Sequence, residues 1–435
     1  MKTKTIYTCS ECGYQSPKWV GKCTTCEAWN SFSEHVQEKS KIKSRARVDA
    51  KQVEKLTVKK SNTSAQRIPL KMDEANRVLG GGILEGSITL LTGEPGIGKS
   101  TLTIQLCDQV ASRGKKVLYV SGEESQNQIA GRADRLGINT DDLFFLAETN
   151  TETILESIKK EKPHFIIIDS VQVLFSHDIQ STAGSITQVR HATELFMEFA
   201  KTTNTPVVLI GHVTKDGNLA GPRVLEHLVD TVLYLEGDRF HQFRILRSQK
   251  NRFGSTNEVG IFEMHSQGLK EVKNPSAHFL EGRKKHAIGS AITVTLEGTR
   301  PILVEVQALA NVTPFGYPKR TATGYDVNRM QLLISVLQKY AKMNLSNQDV
   351  FVNVVGGMKI SDPSCDLGVL MAIASSFSQK TIPTDTCYIG EVGLSGEIRS
   401  VPQLDKRVKE AKKLGFKNVI TPKQVKDIFS AVKTL

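Results

Sequence analysis

Residues 88–101 read Ile-Thr-Leu-Leu-Thr-Gly-Glu-Pro-Gly-Ile-Gly-Lys-Ser-Thr. An apolar run breaks at a glycine, turns through a glycine-punctuated loop, and passes into the helical pattern of residues 102–111. This is G-x-x-x-x-G-K-S in a strand–loop–helix setting, the arrangement that lets backbone N–H groups wrap phosphate oxygens at a helix N-terminus. Gly93, Glu94, Pro95, Gly96, Ile97 and Gly98 form the expected loop, with Lys99, Ser100 and Thr101 opening the helix. Lys99 is expected to reach the β and γ phosphates of ATP, and the Ser100 hydroxyl to bind Mg²⁺.

Further along, Phe165–Asp169 is an apolar strand ending in a carboxylate, the partner expected for the same Mg²⁺. Val117–Ser121 ends in Gly122-Glu123-Glu124, and Glu123 is the residue chosen to polarise the attacking water, with Glu124 its rival. Val207–Ile210 ends at Gly211-His212, where a γ-phosphate sensor or an ordinary loop histidine would sit. Strands are also read at 231–235 and 243–247. Short strands alternating with helical patterns predict an α/β domain built on a mostly parallel sheet.

The chain has 435 residues, 39% hydrophobic and 23% charged. That length predicts two or three domains, and no apolar run approaches the roughly 18 residues of a membrane span. The start, Met1-Lys2-Thr3-Lys4, has no secretory apolar region, so a cytoplasmic location is expected. Of the formal net charge of +12, most falls between residues 35 and 71, where eleven lysines and arginines face three acids. Such a stretch predicts a flexible basic linker, either attracted to a polyanion or simply solvated.

Cys9, Cys12, Cys23 and Cys26 follow C-x₂-C-x₁₀-C-x₂-C, the spacing of a closed tetrahedral zinc site. Trp19 and Trp29, the two tryptophans, lie in this module and are expected to pack its small core, a partner surface or bases. The domain reading is therefore 1–33 zinc ribbon, 34–66 linker, 67–273 ATPase and 274–435 a second α/β domain. In the last, strands are expected at 291–296 and 302–309, and helices at 330–340 and 367–376.

The four-cysteine ribbon, the loop 93–100, the run Lys250-Asn251-Arg252-Phe253-Gly254 and a protease-like carboxy-terminal domain together resemble the bacterial RadA (Sms) DNA-repair ATPases over essentially the whole chain. The resemblance implies a RecA-like P-loop ATPase core and a Lon-protease-like carboxy-terminal domain. It also implies hexameric rings, binding to single-stranded and branched DNA, branch migration, a RecA-type recombinase as partner, and helicase activity of the DnaB type. Lys250 and Arg252 look like the paired finger of ring helicases, acting on a neighbour's ATP; contact with DNA phosphate is the competing reading. By topology, loops 176–188 and 215–223 would face DNA, with Arg190, Lys215 and Arg223 on phosphates. Aligned on the Lon pattern, Asp366 and Asp405 occupy the serine and lysine positions of the dyad, which predicts no peptidase activity; Ser364 and Lys406 lie nearby. Lys319, Arg320, Lys342 and Arg407 are read as surface phosphate contacts. The alternative function is an ATP-switched DNA-binding assembly factor without motor activity.

Overall fold

The computed structural model describes residues 4–9, 14–24, 27–37, 66–212, 222–237, 243–314 and 316–435. It divides into two compact units. The first takes the chain to Glu236 together with Leu246–Thr256 and Met264–Lys270, and the second takes Gly237–Ile245, Asn257–Glu263 and Glu271–Leu435.

The cysteine module is a three-stranded antiparallel sheet in which Lys4–Cys9 lies between Gln15–Ser16 and Phe32–Gln37. Trp19 and Trp29 are 54% and 72% exposed, so neither packs a core as expected; both indoles flank Gly21.

The core of the first unit runs β1 (Ile88–Thr92), α1 (Lys99–Ala111), β2 (Val117–Ser121), α2 (Gln126–Arg135), β3 (Leu143–Ala147), α3 (Thr151–Glu161), β4 (Phe165–Asp169), α4 (Ile186–Thr203), β5 (Val207–Ile210) and β6 (Thr231–Glu236). Beyond it come β7 (Phe243–Asn251), β8 (Val259–His265) and β9 (Gly268–Glu271). Strand order is β9-β8-β7-β6-β1-β5-β4-β2-β3. The run from β6 to β3 is parallel throughout.

β1, β2, β4 and β5 are buried along their whole length, as strands covered on both faces must be, and this is why they read as unbroken apolar runs. Ile154, Ile158, Val189 and Phe196 of α3 and α4 close one face over Ile88, Leu90, Ile166 and Leu209. Polar residues set the helix starts. The Asn150 side chain accepts from Thr153 N, the Ser185 side chain accepts from Gln188 N, and Ser125 pairs with Gln128 in a capping box.

The second unit holds β10 (Ser290–Glu297), β11 (Arg300–Val312), β12 (Arg320–Thr323), α5 (Val327–Tyr340), β13 (Gln348–Val354), α6 (Asp366–Ser378), β14 (Thr386–Tyr388), α7 (Leu404–Lys413) and β15 (Asn418–Ile420). Its sheet order is β12-β13-β11-β10-β14-β15. Nearly every residue of α6 is buried, which places it as the central helix of this core. Residues 390–399 do not join the main sheet; Glu391–Val392 and Ile398–Arg399 pair as a separate two-stranded sheet. Among the described residues, no helix is long and apolar enough to cross a membrane.

Candidate nucleotide-binding site

The loop between β1 and α1 needs its glycines for stated reasons. Gly93 has φ +151°, and a Cβ there would lie 2.3 Å from the Leu235 carbonyl oxygen on β6. Gly98 has φ +114°, and a Cβ would lie 2.5 Å from Met264 Cε. The loop therefore bends tightly against its neighbours and presents backbone rather than side chains to a ligand. Lys99 is 4% exposed, and its Nζ donates to the carbonyls of Gly93 (2.8 Å) and Glu94 (3.1 Å). Burial lowers its pKa to about 8, opposed by the negative charges of Asp169 and Glu123.

Ser100 Oγ donates to Asp169 Oδ2 at 3.0 Å, so the two oxygens expected to hold Mg²⁺ already stand side by side. The arrangement fits the hard-oxygen donor set of that ion. Tyr119 OH donates to the same Asp169 oxygen at 2.5 Å. Burial raises the Asp169 pKa, while the Tyr119 and Ser100 donors pull the other way. The Asp169–Ser170 peptide is cis.

The two adjacent acids after β2 part company. Glu124 is held by both terminal nitrogens of Arg132, at 2.7 and 2.6 Å. Glu123 instead turns toward the site, accepting from Ser170 Oγ and standing 3.8 Å from His212 Nε2. Burial lowers the His212 pKa, and the Lys99 charge adds to that, so its imidazole is neutral at pH 7.

Lys250 and Arg252 are brought together at a different place. Lys250 lies inside β7, which runs four residues beyond the predicted end, and its Nζ donates to the carbonyls of Glu226 (2.6 Å), His227 (3.3 Å) and Val229 (2.8 Å). Arg252 Nη1 stands 3.4 Å from Asp230 Oδ1, with half of its side chain exposed. Asp230 in turn accepts from Ile88 N at 3.1 Å, so this cluster sits at the start of β1 and the phosphate loop at its end. Asn251 Oδ1 accepts from Phe253 N, and Gly254 packs against Gly80, where a Cβ would lie 3.6 Å from the Gly254 Cα. Arg67 Nη2 reaches the Phe253 carbonyl at 2.8 Å.

In the ribbon, Cys9 and Cys23 are buried, and each cysteine N–H donates to the carbonyl five residues ahead, Tyr14 or Ala28, both at 2.9 Å. The same backbone hydrogen bond thus occurs at both described cysteines, which fits a pair of thiolate knuckles on one metal. Cys12 and Cys26 lie outside the described residues.

Over 425 residues, 97% of this chain and 93% of the relative, the sequence is 51% identical to DNA repair protein RadA of Bacillus subtilis. DNA repair protein RadA of Streptococcus pyogenes serotype M1 is 51% identical over 423 residues, and that of Listeria monocytogenes serovar 1/2a is 48% identical over 423, each with 97% of this chain and 93% of the relative covered. The chain belongs to the RadA family. Family profiles match three regions of the chain: a rubredoxin metal binding domain over 7–34, an AAA domain over 52–218, and subunit ChlI of Mg-chelatase over 316–425. In this RadA-family chain a zinc ribbon precedes a RecA-like ATPase core and a Lon-like α/β domain.

The Lon-like domain places the aligned dyad residues apart in character. Asp366 is fully buried at the start of α6, accepting from Tyr325 OH (2.6 Å), Arg329 Nε (3.1 Å) and Val392 N (3.2 Å). Asp405 is 94% exposed, with Lys423 Nζ at 3.4 Å. Arg407 corrects the expectation of a surface contact. Leu404, Arg407 and Ala411 form the buried stripe of α7, and Arg407 is 1% exposed. Its Nη1 lies 2.7 Å from Asp362, 2.7 Å from the Val294 carbonyl and 2.5 Å from Ser364 Oγ. Lys406, on the other side of the helix, is exposed.

Lys319 and Lys342 are exposed, whereas Arg320 donates to the carbonyls of Gln348 (2.5 Å) and Leu345 (2.8 Å). Arg190 is exposed and paired with Glu194 at 2.9 Å. Lys215 and the Arg223 side chain lie outside the described residues. Sequence reasoning missed Tyr119, Ser170, Arg132 and Asp230. For Tyr119 a signal existed, since a hydroxyl inside the apolar run Val-Leu-Tyr-Val-Ser needs a buried partner.

Proposed function

We propose that the protein is a DNA-dependent ATPase of recombinational repair, working as a hexameric ring on single-stranded and branched DNA to drive branch migration or unwinding. The observation that carries this is the placing of Lys250 and Arg252 at the opposite end of β1 from the phosphate loop. Five residues at about 3.3 Å each separate the two ends, too far for either cation to reach its own chain's nucleotide. Charge on the transferring phosphoryl group is then met by the pair from a neighbouring copy.

In this reading Lys99 leaves the Gly93 and Glu94 carbonyls for the β and γ phosphates. Ser100 and Asp169 hold Mg²⁺, which when bound neutralises developing phosphate charge. Glu123, steadied by Ser170, orients the attacking water, and neutral His212 beside it registers the γ-phosphate. Glu124 serves structure through Arg132. The 176–188 loop meets single-stranded DNA, and the ribbon serves a partner such as a RecA-type recombinase. The Lon-like domain hydrolyses no peptide, because carboxylates at both dyad positions supply neither nucleophile nor base.

Mixing Arg252→Ala with Lys99→Ala protein tests the central claim. Each alone is expected to be inactive, and mixed rings should recover hydrolysis stimulated by single-stranded DNA, together with unwinding of a forked duplex. Mixed rings that form yet stay inactive remove the role across the interface. Hydrolysis indifferent to DNA, with no strand separation by wild-type protein, assigns an ATP-switched assembly factor instead.

A further inference from the structure

We propose that Glu152, Asp178 and His191 form a second metal site in the ATPase unit, for a divalent transition cation of the Mn²⁺ to Zn²⁺ class. None of the three belongs to the nucleotide site. Glu152 comes from the first turn of α3, Asp178 from the loop after β4, and His191 from α4. Their ligand atoms all lie within 4.8 Å of one another. Metal–ligand bonds of about 2.0–2.2 Å put ligands up to roughly 4.2 Å apart across an ion, so small side-chain rotations close the site.

The second observation is independent of that proximity. His191 Nε2 is a buried atom with no hydrogen-bond partner among the described residues, and Glu152 Oε2 is a buried atom with only a loose approach from the Asn150 amide. A buried ring nitrogen without a partner is costly, and a cation placed between it and the carboxylate satisfies both. The other Glu152 oxygen is fixed by Ser176 Oγ, which leaves Oε2 as the one to bind. Supports of this kind orient the ligands of a metal site. Gln188, one helical turn before His191, ties the loop beneath Asp178 through Ser176 N (2.8 Å) and the Ile179 carbonyl (3.0 Å).

An imidazole with two carboxylates selects the cation class. Nitrogen favours transition ions over Mg²⁺ and Ca²⁺, and the absence of thiolate from the set separates it from the ribbon zinc site. With Asp178 exposed, solvent completes the coordination. A bound ion clips the 176–188 loop to the starts of α3 and α4, whatever that loop touches.

Titration of full-length protein, ribbon zinc loaded and nucleotide removed, with Mn²⁺ followed by electron paramagnetic resonance tests the site. One Mn²⁺ per chain is expected, displaced by Zn²⁺. Its affinity should fall at least about tenfold in Asp178→Asn and in His191→Ala, and hold in Asp169→Asn, which removes the nucleotide-site carboxylate. Asp178 is on the surface, so its variant reports binding without disturbing the core. Wild-type and Asp178→Asn protein binding Mn²⁺ equally, or wild-type protein binding none at millimolar Mn²⁺, overturns the proposal.

Discussion

Lys99 in the ATPase unit and Arg407 in the Lon-like unit are 4% and 1% exposed, and each bonds backbone carbonyls. They differ in what balances the charge. Arg407 touches a carboxylate, Asp362, at 2.7 Å and a serine hydroxyl, so its donors are spent on a closed network. The hydrogen bonds described for Lys99 Nζ go to two neutral carbonyls, with its acids acting only through space. A buried cation held by neutral oxygens can move to an anionic ligand, whereas one locked to a carboxylate holds the fold.

The comparison breaks or holds on paired substitutions. Lys99→Ala should lower kcat/KM for ATP by about 10²–10³-fold or more, while its unfolding transition stays put or rises because a desolvated charge is gone. Arg407→Ala should do the reverse. It leaves the Asp362 carboxylate without its cation, though still bonded to the Ser364 and Leu296 amides, and costs the Lon-like unit about 3–5 kcal/mol in denaturant unfolding, with ATP hydrolysis per folded molecule unchanged. Exchanged outcomes would refute the contrast.

The neighbouring acids sharpen it on a smaller scale. Glu123→Gln should reduce single-turnover hydrolysis by about 10²-fold with ATP binding intact. Glu124→Gln, which only loosens Arg132, should show a loss of stability rather than of turnover. The smallest effect is a proton. With its pKa near 8, Lys99 is largely neutral at pH 8.5 in the free protein, and phosphate favours the charged form. ATP binding at pH 8.5 should therefore take up a fraction of a proton, seen as a dependence of binding enthalpy on buffer ionisation. The uptake should vanish at pH 6.5 and in Lys99→Met.

Much of the ATPase unit was legible in the sequence because its decisive features are local. The loop 93–101 carries its meaning in consecutive residues, and the central strands are apolar without interruption. β3, an edge strand with alternating partial exposure, gave no such signal. Nor could local pattern separate the surroundings of Glu123 and Glu124, since their partners lie eight residues on in Arg132 and just past the neighbouring strand β4 in Ser170. Arg407 was misread for a related reason. Lys406 and Arg407 are adjacent cations on one helix, and only the buried stripe through Leu404 and Ala411 decides which faces inward. The polar partners of Asp366 come from two segments distant from it in sequence, Tyr325 and Arg329 at the start of α5 and Val392, so no spacing rule would assemble them.

Gln188 has one more consequence. Its amide oxygen accepts from Ser176 N at 2.8 Å, and its nitrogen donates to the carbonyls of Ser176 (3.1 Å), Ile179 (3.0 Å) and Ser181 (3.0 Å). A single side chain thus spans the base of the segment that follows β4. Opening of that segment is then cooperative, because releasing one amide, whose two N–H groups are shared among three carbonyls, releases all of these contacts together. In hydrogen exchange the Ser176 amide should report the motion of the whole segment, and Gln188→Glu, which removes the donors and keeps the shape, should turn a concerted opening into independent fraying.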